Sequence, residues 1–331
     1  MLGAGVTALV LGKRVPAWRS LLWGGVIATL PDLDVLIDHG DPVKNMTFHR
    51  AESHALLYLT AVTPLLAWGI AQLHGERALL RRWAVAVWLA LITHPLLDAM
   101  TIYGTQLALP FTDHPYAVGS LFVIDPLYTL PLLLGNVVLL CARGSARGHR
   151  WNLAGVVLST LYAAWSVFAQ AQAVEVARAS LAAQGLASEH VVVTPAPLQT
   201  LLWRCVAVTP EAAYEGFWSL CDVDRSVQWQ RIDRGAADLA ALRGTWSVDR
   251  AVWFSGGCCK AERIDGRVRV TDLRMGQEPF YVFAFDVAAV DANGALQALP
   301  VPEKRGSRID VGRGLAWLWR RMWGERIPSP R

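Results

Sequence analysis

The residues from Pro31 to His54, PDLDVLIDHGDPVKNMTFHRAESH, gather four Asp and three His between segments that are almost free of charge. Placing such groups beside apolar spans costs roughly several kcal/mol unless they are paired or bound to a cation, so a metal site is the economical reading. A second stretch, THPLLDAMTIYGTQ, sets His94 and Asp98 four apart, where both project from one face of a helix. The two stretches are expected to meet, and the candidate ligands are Asp32, Asp34, His49, His54, His94 and Asp98. Mixed imidazole and carboxylate donors suit a divalent transition metal better than calcium; zinc is the first expectation, with manganese or iron as alternatives.

Each pattern has a plainer reading. Asp32 could cap a helix after Pro31, and His94 with Asp98 could be a hydrogen-bonded pair four residues apart. Asp32 and Asp34 could share a side if their backbone is extended or forms a turn. His49 and His54, five apart, do not share a helical face, but a helix starting near Glu52 with His49 in the preceding loop lets them converge. Asp38, His39, Asp41 and Asp125 are weaker candidates: Asp41 before Pro42 reads as a turn, and Asp125 as a ligand, a carboxylate orienting a His, or a cap. Tyr103 and Gln106 could hold a substrate oxygen, while Gly104 permits a sharp turn. Arg50 could clamp a phosphate or carboxylate with its two-pronged guanidinium, or form a salt bridge to Glu52 or Asp41.

The elements that must position these residues are apolar helices. The chain has 331 residues, 53% of them hydrophobic and 18% charged, with a mean hydropathy of +0.31, which places it in a membrane. A net charge of +4 with scattered basic residues gives no continuous stripe for nucleic acid. Uncharged runs cover Ala55–Leu73, Trp83–Leu97, Pro126–Ala142 and Trp151–Val174, close to the roughly 20 residues of a spanning helix. Two shorter runs precede them and could form a shallow helical hairpin, or part of the first helix could be missing from the start. Arg77, Arg81 and Arg82 lie in one connection and Arg143, Arg147 and Arg150 in another; the positive-inside rule puts both in the cytoplasm. Lys13, Arg14 and Arg19 fit that side, so every candidate ligand and the C-terminal half are expected on the outer side.

Charge also divides the chain. Residues 1–171 hold 11 of the 31 Lys and Arg and 9 of the 27 Asp and Glu, leaving 20 and 18 for the rest. The reading is a multi-span α-helical membrane domain with the metal site (1–174), a helical stalk or linker (175–190), a mostly antiparallel β-rich extracytoplasmic domain (191–312) and an amphipathic Trp/Arg-rich tail (313–331). Alternating runs such as RVRVTDLR and FYVFAFDVAAVDANG are strand signals, with Asn293-Gly294 as a tight turn. In the tail, Leu315, Trp319 and Trp323 share a helical face beside Arg320 and Arg321, which fits either a membrane-interface helix or a helix packed on the β domain. Cys205, Cys221, Cys258 and Cys259 permit disulfides if that half is extracytoplasmic, but no CxxC suggests a zinc knuckle, and Cys258 and Cys259 read as strand residues. There is no Gly-rich phosphate loop and no GxSxG nucleophile elbow.

LPDLDVL, DPV, HRAESHALL, THPLLD, YGTQ, IDPLYTLP and LLWR, in this order and separated by apolar spans, resemble the YdjM-like family of membrane-bound predicted metal-dependent hydrolases. The resemblance covers nearly the whole chain. It implies a bacterial inner-membrane protein whose metal ligands are the Asp and His of these motifs: Asp32, Asp34, His49, His54, His94 and Asp98. The chain departs from the pattern at Ala51, where Gly is expected after His-Arg, and in its abrupt start at MLGAG.

The first functional expectation is a hydrolase in which one or two cations activate water toward an ester or phosphoester, with Asp34 or Asp98 accepting the proton and Arg50 at the substrate. Its partners would be the lipid bilayer and a lipid or lipid-linked phosphoester at the outer leaflet; no pattern specifies an oligomeric state. The alternative is a non-catalytic scaffold in which the metal pins the span ends and the β domain binds a partner. A metal or proton transporter ranks last, because the polar residues cluster at span ends rather than near the midplane.

Overall fold

A computed structural model describes residues 1–306 and 310–330. The parts of the β-domain and tail expectations that fall on residues 307–309 and 331 lie outside the described residues. The helices of the N-terminal half are α1 (Leu2–Leu11), α2 (Ala17–Thr29), α3 (Pro42–Phe48), α4 (Leu56–Leu73), α5 (Leu80–Ala99), α6 (Pro126–Cys141) and the 38-residue α7 (Ala146–Ala183). Short 3-10 turns at Pro31–Leu36 and Glu52–His54 lie before α3 and α4. Among the described residues two helices, α4 and α7, are long and apolar enough to cross a membrane. Helix α6 is apolar but shorter, and α5 carries Arg81, Arg82 and Asp98 at its ends.

The chain forms two compact units. The first comprises Met1–Ile37, Phe48–Val118 and Val123–Ser166; the second comprises Asp38–Thr47, Gly119–Phe122 and Val167–Arg331. In the first unit α1, α2, α4 and α5 share a core of Leu11, Val15, Ile27, Leu59, Ile70, Trp83, Val87 and Leu91, with Ala67, Ala71, Ala86 and Ala90 where helices approach closely. The two short N-terminal runs pack against each other as α1 and α2. Their contact needs glycine: a Cβ on Gly24 would stand 2.5 Å from the Gly3 carbonyl oxygen and 2.6 Å from Thr7 Oγ1. Small residues at such crossings are the usual device for helix association in membranes.

One end of this unit is tied by Arg19, whose guanidinium donates to Glu76, while Trp83 Nε1 donates to the other Glu76 oxygen at 2.8 Å. The beginning of α2 and the end of α4 therefore lie at one end. The 3-10 turn after α2, the start of α4 and the last turn of α5 lie at the other, where the candidate ligands are.

In the second unit the last part of α7 enters the core of a β domain, with Ala169, Ala173, Val176 and Ala177 against Val193, Trp203, Trp218 and Val227. Strands β1 (His190–Pro195), β2 (Leu202–Val208), β3 (Ala212–Ser219) and β4 (Gln230–Asp233) form one antiparallel sheet in that order. Helices α8 (Ala236–Ala241) and α9 (Trp246–Phe254) follow, two elements that the strand-like reading of this half does not anticipate. Next come β5 (Cys259–Ile264), β6 (Arg267–Asp272), the short pair β7 (Gly276–Gln277) and β8 (Phe280–Tyr281), then β9 (Ala284–Val290) and β10 (Leu296–Arg305). The second sheet has the antiparallel order β10-β9-β6-β5. Asn293-Gly294 lies in the β9–β10 turn, which Asp291 organises by accepting from the backbone N–H of Asn293 and Ala295. All five cysteines are free thiols, and Cys258 and Cys259 are buried at the start of β5.

Helix α10 (Val311–Met322) closes the chain. Asp310 caps it by accepting from the Arg313 N–H. Trp317 and Met322 pack on Ala196 and Leu202 of the β domain, while Leu315, Trp319 and Trp323 are exposed. Both readings of the tail's amphipathic pattern concern real faces of one helix, and the β domain takes the Trp317 face.

Candidate metal centre

Pro31 cannot donate a backbone hydrogen bond and ends the α2 pattern, and the chain turns through a 3-10 segment that carries Asp32 and Asp34. With three residues per turn, positions two apart point in different directions. Asp32 and Asp34 therefore diverge, which corrects the expectation that an extended or turn backbone would set them on one side. His54 ends the second 3-10 turn just before α4, and His94 and Asp98 share a face of the last turns of α5.

Four of these side chains converge. His54 Nε2 lies 3.4 Å from Asp32 Oδ1 and 3.3 Å from Asp98 Oδ2, and His94 Nε2 lies 3.3 Å from each of the same two oxygens. All four donor atoms fall within 4.8 Å of one another. Three of them, His54 Nε2, His94 Nε2 and Asp98 Oδ2, are buried and have no hydrogen-bond partner. Groups of this kind are not left unsatisfied without cost. Donors at about 2.0–2.1 Å from a tetrahedral ion stand about 3.3–3.4 Å from each other, and the four His–Asp separations have that length. The residues present therefore fit a divalent cation. The site is asymmetric in its access: the His54 side chain is wholly buried, while that of Asp32 is 43% exposed.

A second layer holds these donors. Asp34 Oδ2 accepts from Ser53 Oγ at 2.5 Å and from the Arg50 N–H at 2.9 Å, and Asp34 Oδ1 is 2.7 Å from His49 Nδ1. Ser53 Oγ is also 2.8 Å from His54 Nδ1. If Ser53 donates to Asp34, its oxygen is left to accept from His54 Nδ1–H, which commits Nε2 to the cluster as a ligand nitrogen. This is the carboxylate-linked orientation usual behind metal-bound histidines. Burial pushes the Asp34 carboxyl up, but the His49, Ser53 and Arg50 hydrogen bonds outweigh it and hold the group below the ordinary carboxylate range. Asp32 follows the same pattern: burial opposes its charge, and the His54 and His94 imidazoles more than compensate.

Arg50 is nearly buried and faces Asp98, with Nη2 at 3.1 Å from Asp98 Oδ1 and Nη1 donating to Thr101 Oγ1 at 3.3 Å. Its charge steadies the Asp98 oxygen that is turned away from the cluster. The partner is neither Glu52 nor Asp41. Arg50 has a φ of 63°, a left-handed conformation that costs a non-glycine residue about 1 kcal/mol. Its backbone N–H bonds to Asp34 and its carbonyl accepts from the Gln106 N–H at 2.9 Å, which holds it there.

Tyr103 lies under the guanidinium, 5.1 Å from ring centroid to Arg50 Cζ, and edge-on to His49 at 5.4 Å. Tyr103 and Gln106 are both buried, and Gly104 turns the chain between them with φ 114°. Of the six expected ligands, the structure thus brings Asp32, His54, His94 and Asp98 together and pairs Asp34 with His49 beside them. Among the weaker candidates, Asp125 caps α6 by accepting from Leu127 N–H and receives the Tyr162 hydroxyl at 2.8 Å. Asp41 accepts from the backbone of Val43 and Lys44, as a turn residue does, and Asp38 accepts from Gly40 and Asn45. Ser53 and Thr101 are not singled out by sequence reasoning; their only signal is a place close to His54 and Asp98.

Comparison with known proteins adds to this picture. Residues 1–173 match the family model described as YdjM inner membrane protein. The chain is also 36% identical over 97 residues to the inner membrane protein YbcI of Escherichia coli strain K12, a match covering 29% of this chain and 55% of that protein. The chain thus spans about half the length of the curated relative it matches. No solved structure matches it. The family match takes in α1 through most of α7, with every residue of the four-donor cluster inside it, and so the chain belongs to the YdjM inner membrane protein family.

Proposed function

We propose that this protein is an inner-membrane metal-dependent hydrolase acting on an ester or phosphoester of a lipid or lipid-linked substrate at the outer membrane interface. The observation that carries the reading is the convergence of Asp32, His54, His94 and Asp98 at zinc-like spacing with three buried donors otherwise unsatisfied. Zinc is the favoured ion, and manganese or iron the alternatives. A cation held by these donors would supply the Lewis acidity that activates water and polarises a substrate oxygen.

The chain's own residues set the rest. Asp32 is the exposed donor, so substrate approaches from its side. Asp34 and His49, hydrogen-bonded to one another next to the cluster, are placed to take and pass a proton. Arg50 fixes Asp98, and Tyr103 and Gln106 border the same region as candidate substrate contacts. The pairing of Arg19 with Glu76 supports the orientation: it brings the basic segment before α2 to the same end as the connection carrying Arg77, Arg81 and Arg82, which the positive-inside rule assigns to the cytoplasm, and the donors lie at the other end. In this arrangement α4, α5, α6 and α7 span the bilayer and the β domain lies outside.

One observation favours a second reading. Four protein donors already match the ligand number of a closed structural site, whereas catalytic zinc keeps an open position. A non-catalytic scaffold pinned by the metal would look the same.

The test is elemental mass spectrometry of the detergent-purified protein, wild type against His94→Ala with Asp98→Ala, followed by phospholipid and phosphoester hydrolysis assays. Stoichiometric metal that disappears in the double variant, with hydrolysis that disappears with it, supports the hydrolase. Metal without hydrolysis, with X-ray absorption showing four protein ligands and no water, supports the scaffold. A folded wild type that binds neither zinc nor manganese overturns both.

A further inference from the structure

The exposed face of α10 is more apolar than a soluble surface requires. Val311, Leu315, Trp319 and Trp323 recur at every fourth position and form one ridge, each at least half exposed. At 1.5 Å rise per residue this ridge is about 18 Å long. Trp319 and Trp323 pack edge to face at 5.7 Å, so the two indoles make a single surface.

The ridge is not a frayed end. The opposite face is fixed to the β domain by the Arg321 guanidinium, which donates to both oxygens of Asp222 at 2.6 and 2.7 Å and to the Phe217 carbonyl at 2.9 Å. Ser219 Oγ donates to the Met322 carbonyl at 2.5 Å, and Trp317 packs edge-on to Phe217 at 4.9 Å. Folding of the domain therefore uses Trp317, Arg321 and Met322 and holds the Trp319 ridge outward in a fixed pose.

We infer that this ridge docks on the bilayer, seated at the boundary between lipid headgroups and acyl chains. Trp and Leu on one face with Arg beside them are the composition of helices that lie in that boundary, where the indole ring is apolar and its N–H stays wet. Charge complements it in part: residues 310–330 carry Arg313, Arg320, Arg321 and Arg326 against Asp310 and Glu325, and of these Arg320 is exposed on the flank beside Trp323, with its guanidinium shared with Glu325, while Arg313 is exposed farther around the helix, where anionic phosphates would meet them. The bilayer is also the surface that this domain cannot leave. Its core is built on the last part of α7, the same helix whose apolar length suits a membrane span, and such a tether raises the local concentration of lipid far above that of any free partner. Docking would hold the β domain against the leaflet from which a lipid substrate is drawn, although the inference does not depend on hydrolysis.

The experiment places a nitroxide on full-length protein in vesicles of phosphatidylethanolamine with a minor fraction of phosphatidylglycerol. Exposed Cys141 and Cys221 are first replaced by Ser, and the label is put at Leu315→Cys or Trp319→Cys, with Ala298→Cys on β10 as the control. Docking predicts that the ratio of oxygen to water-soluble nickel-complex accessibility rises severalfold at 315 and 319 over 298, and that Arg313→Gln with Arg320→Gln lowers it. Water-like accessibility at all three positions overturns the inference. So does a discrete label-to-label distance at 315 that disappears on dilution with unlabelled protein, which would make the ridge a contact between two copies.

Discussion

The imidazoles of His54 and His94 stand with ring centroids 5.3 Å apart, one at the entrance of α4 and the other in the last turns of α5, and both direct Nε2 to the same oxygen of Asp98. No hydrogen bond explains that arrangement, because neither nitrogen nor the oxygen has one. A shared cation would, and it would tie the helix ends into a single cooperative unit.

Removing a donor should empty the site. His54→Ala is expected to abolish stoichiometric zinc or manganese while leaving the β domain folded, as read by elemental analysis together with circular dichroism. Ser53→Ala leaves all four donors in place and removes the hydroxyl that links His54 Nδ1 to Asp34. It should weaken metal affinity by about 10–100-fold, the usual cost of losing such a support, as measured by chelator competition.

Acid should destabilise the metal-free protein through Asp34. Its carboxyl is held below the ordinary range in the folded state, so the unfolded chain binds the proton more readily. The corresponding stability is fully present above the unfolded value of about 3.9 and is lost as pH falls through the folded one. Thermal unfolding in detergent should therefore be insensitive to Asp34 ionisation near neutrality and decline only in strongly acidic buffer. Asp34→Asn should flatten that decline.

Gly24 should not accept a side chain. The Cβ of Gly24→Ala would meet the Gly3 carbonyl at 2.5 Å, whereas Gly25→Ala meets nothing within 4 Å. Overpacking at the first site is expected to cost about 1–3 kcal/mol, with a clearly lower unfolding midpoint in detergent, and the second to be close to neutral.

Arg321→Ala should release α10. It leaves the buried Asp222 carboxylate without its partner, a loss of about 3–5 kcal/mol for a buried pair. Hydrogen exchange across residues 311–322 should accelerate markedly, with little change in β2. Protection that persists in the variant would show that Trp317 and Met322 suffice to hold the helix.

The N-terminal helices were legible because their run lengths and lack of charge fit few other structures, and the β strands because alternation reports a half-buried face. Helices α8 and α9 were not, since each is short and lies among residues of mixed polarity. At the site, the types and neighbourhood of Asp32, His54, His94 and Asp98 are visible in the chain, but the pairing of Asp34 with His49 is not. It depends on the 3-10 turn at Pro31–Leu36, which turns two carboxylates two residues apart in different directions.

The sequence by itself determined that apolar helices lead into a β domain and that Asp and His collect at the helix ends, because burial free energy and charge cost depend on composition and period. Only the tertiary structure decided which oxygen meets which nitrogen, that Arg50 serves Asp98, and which face of α10 is spent on the β domain. Those outcomes rest on separations of a few tenths of an ångström and on packing between residues distant in the chain, and local pattern carries neither.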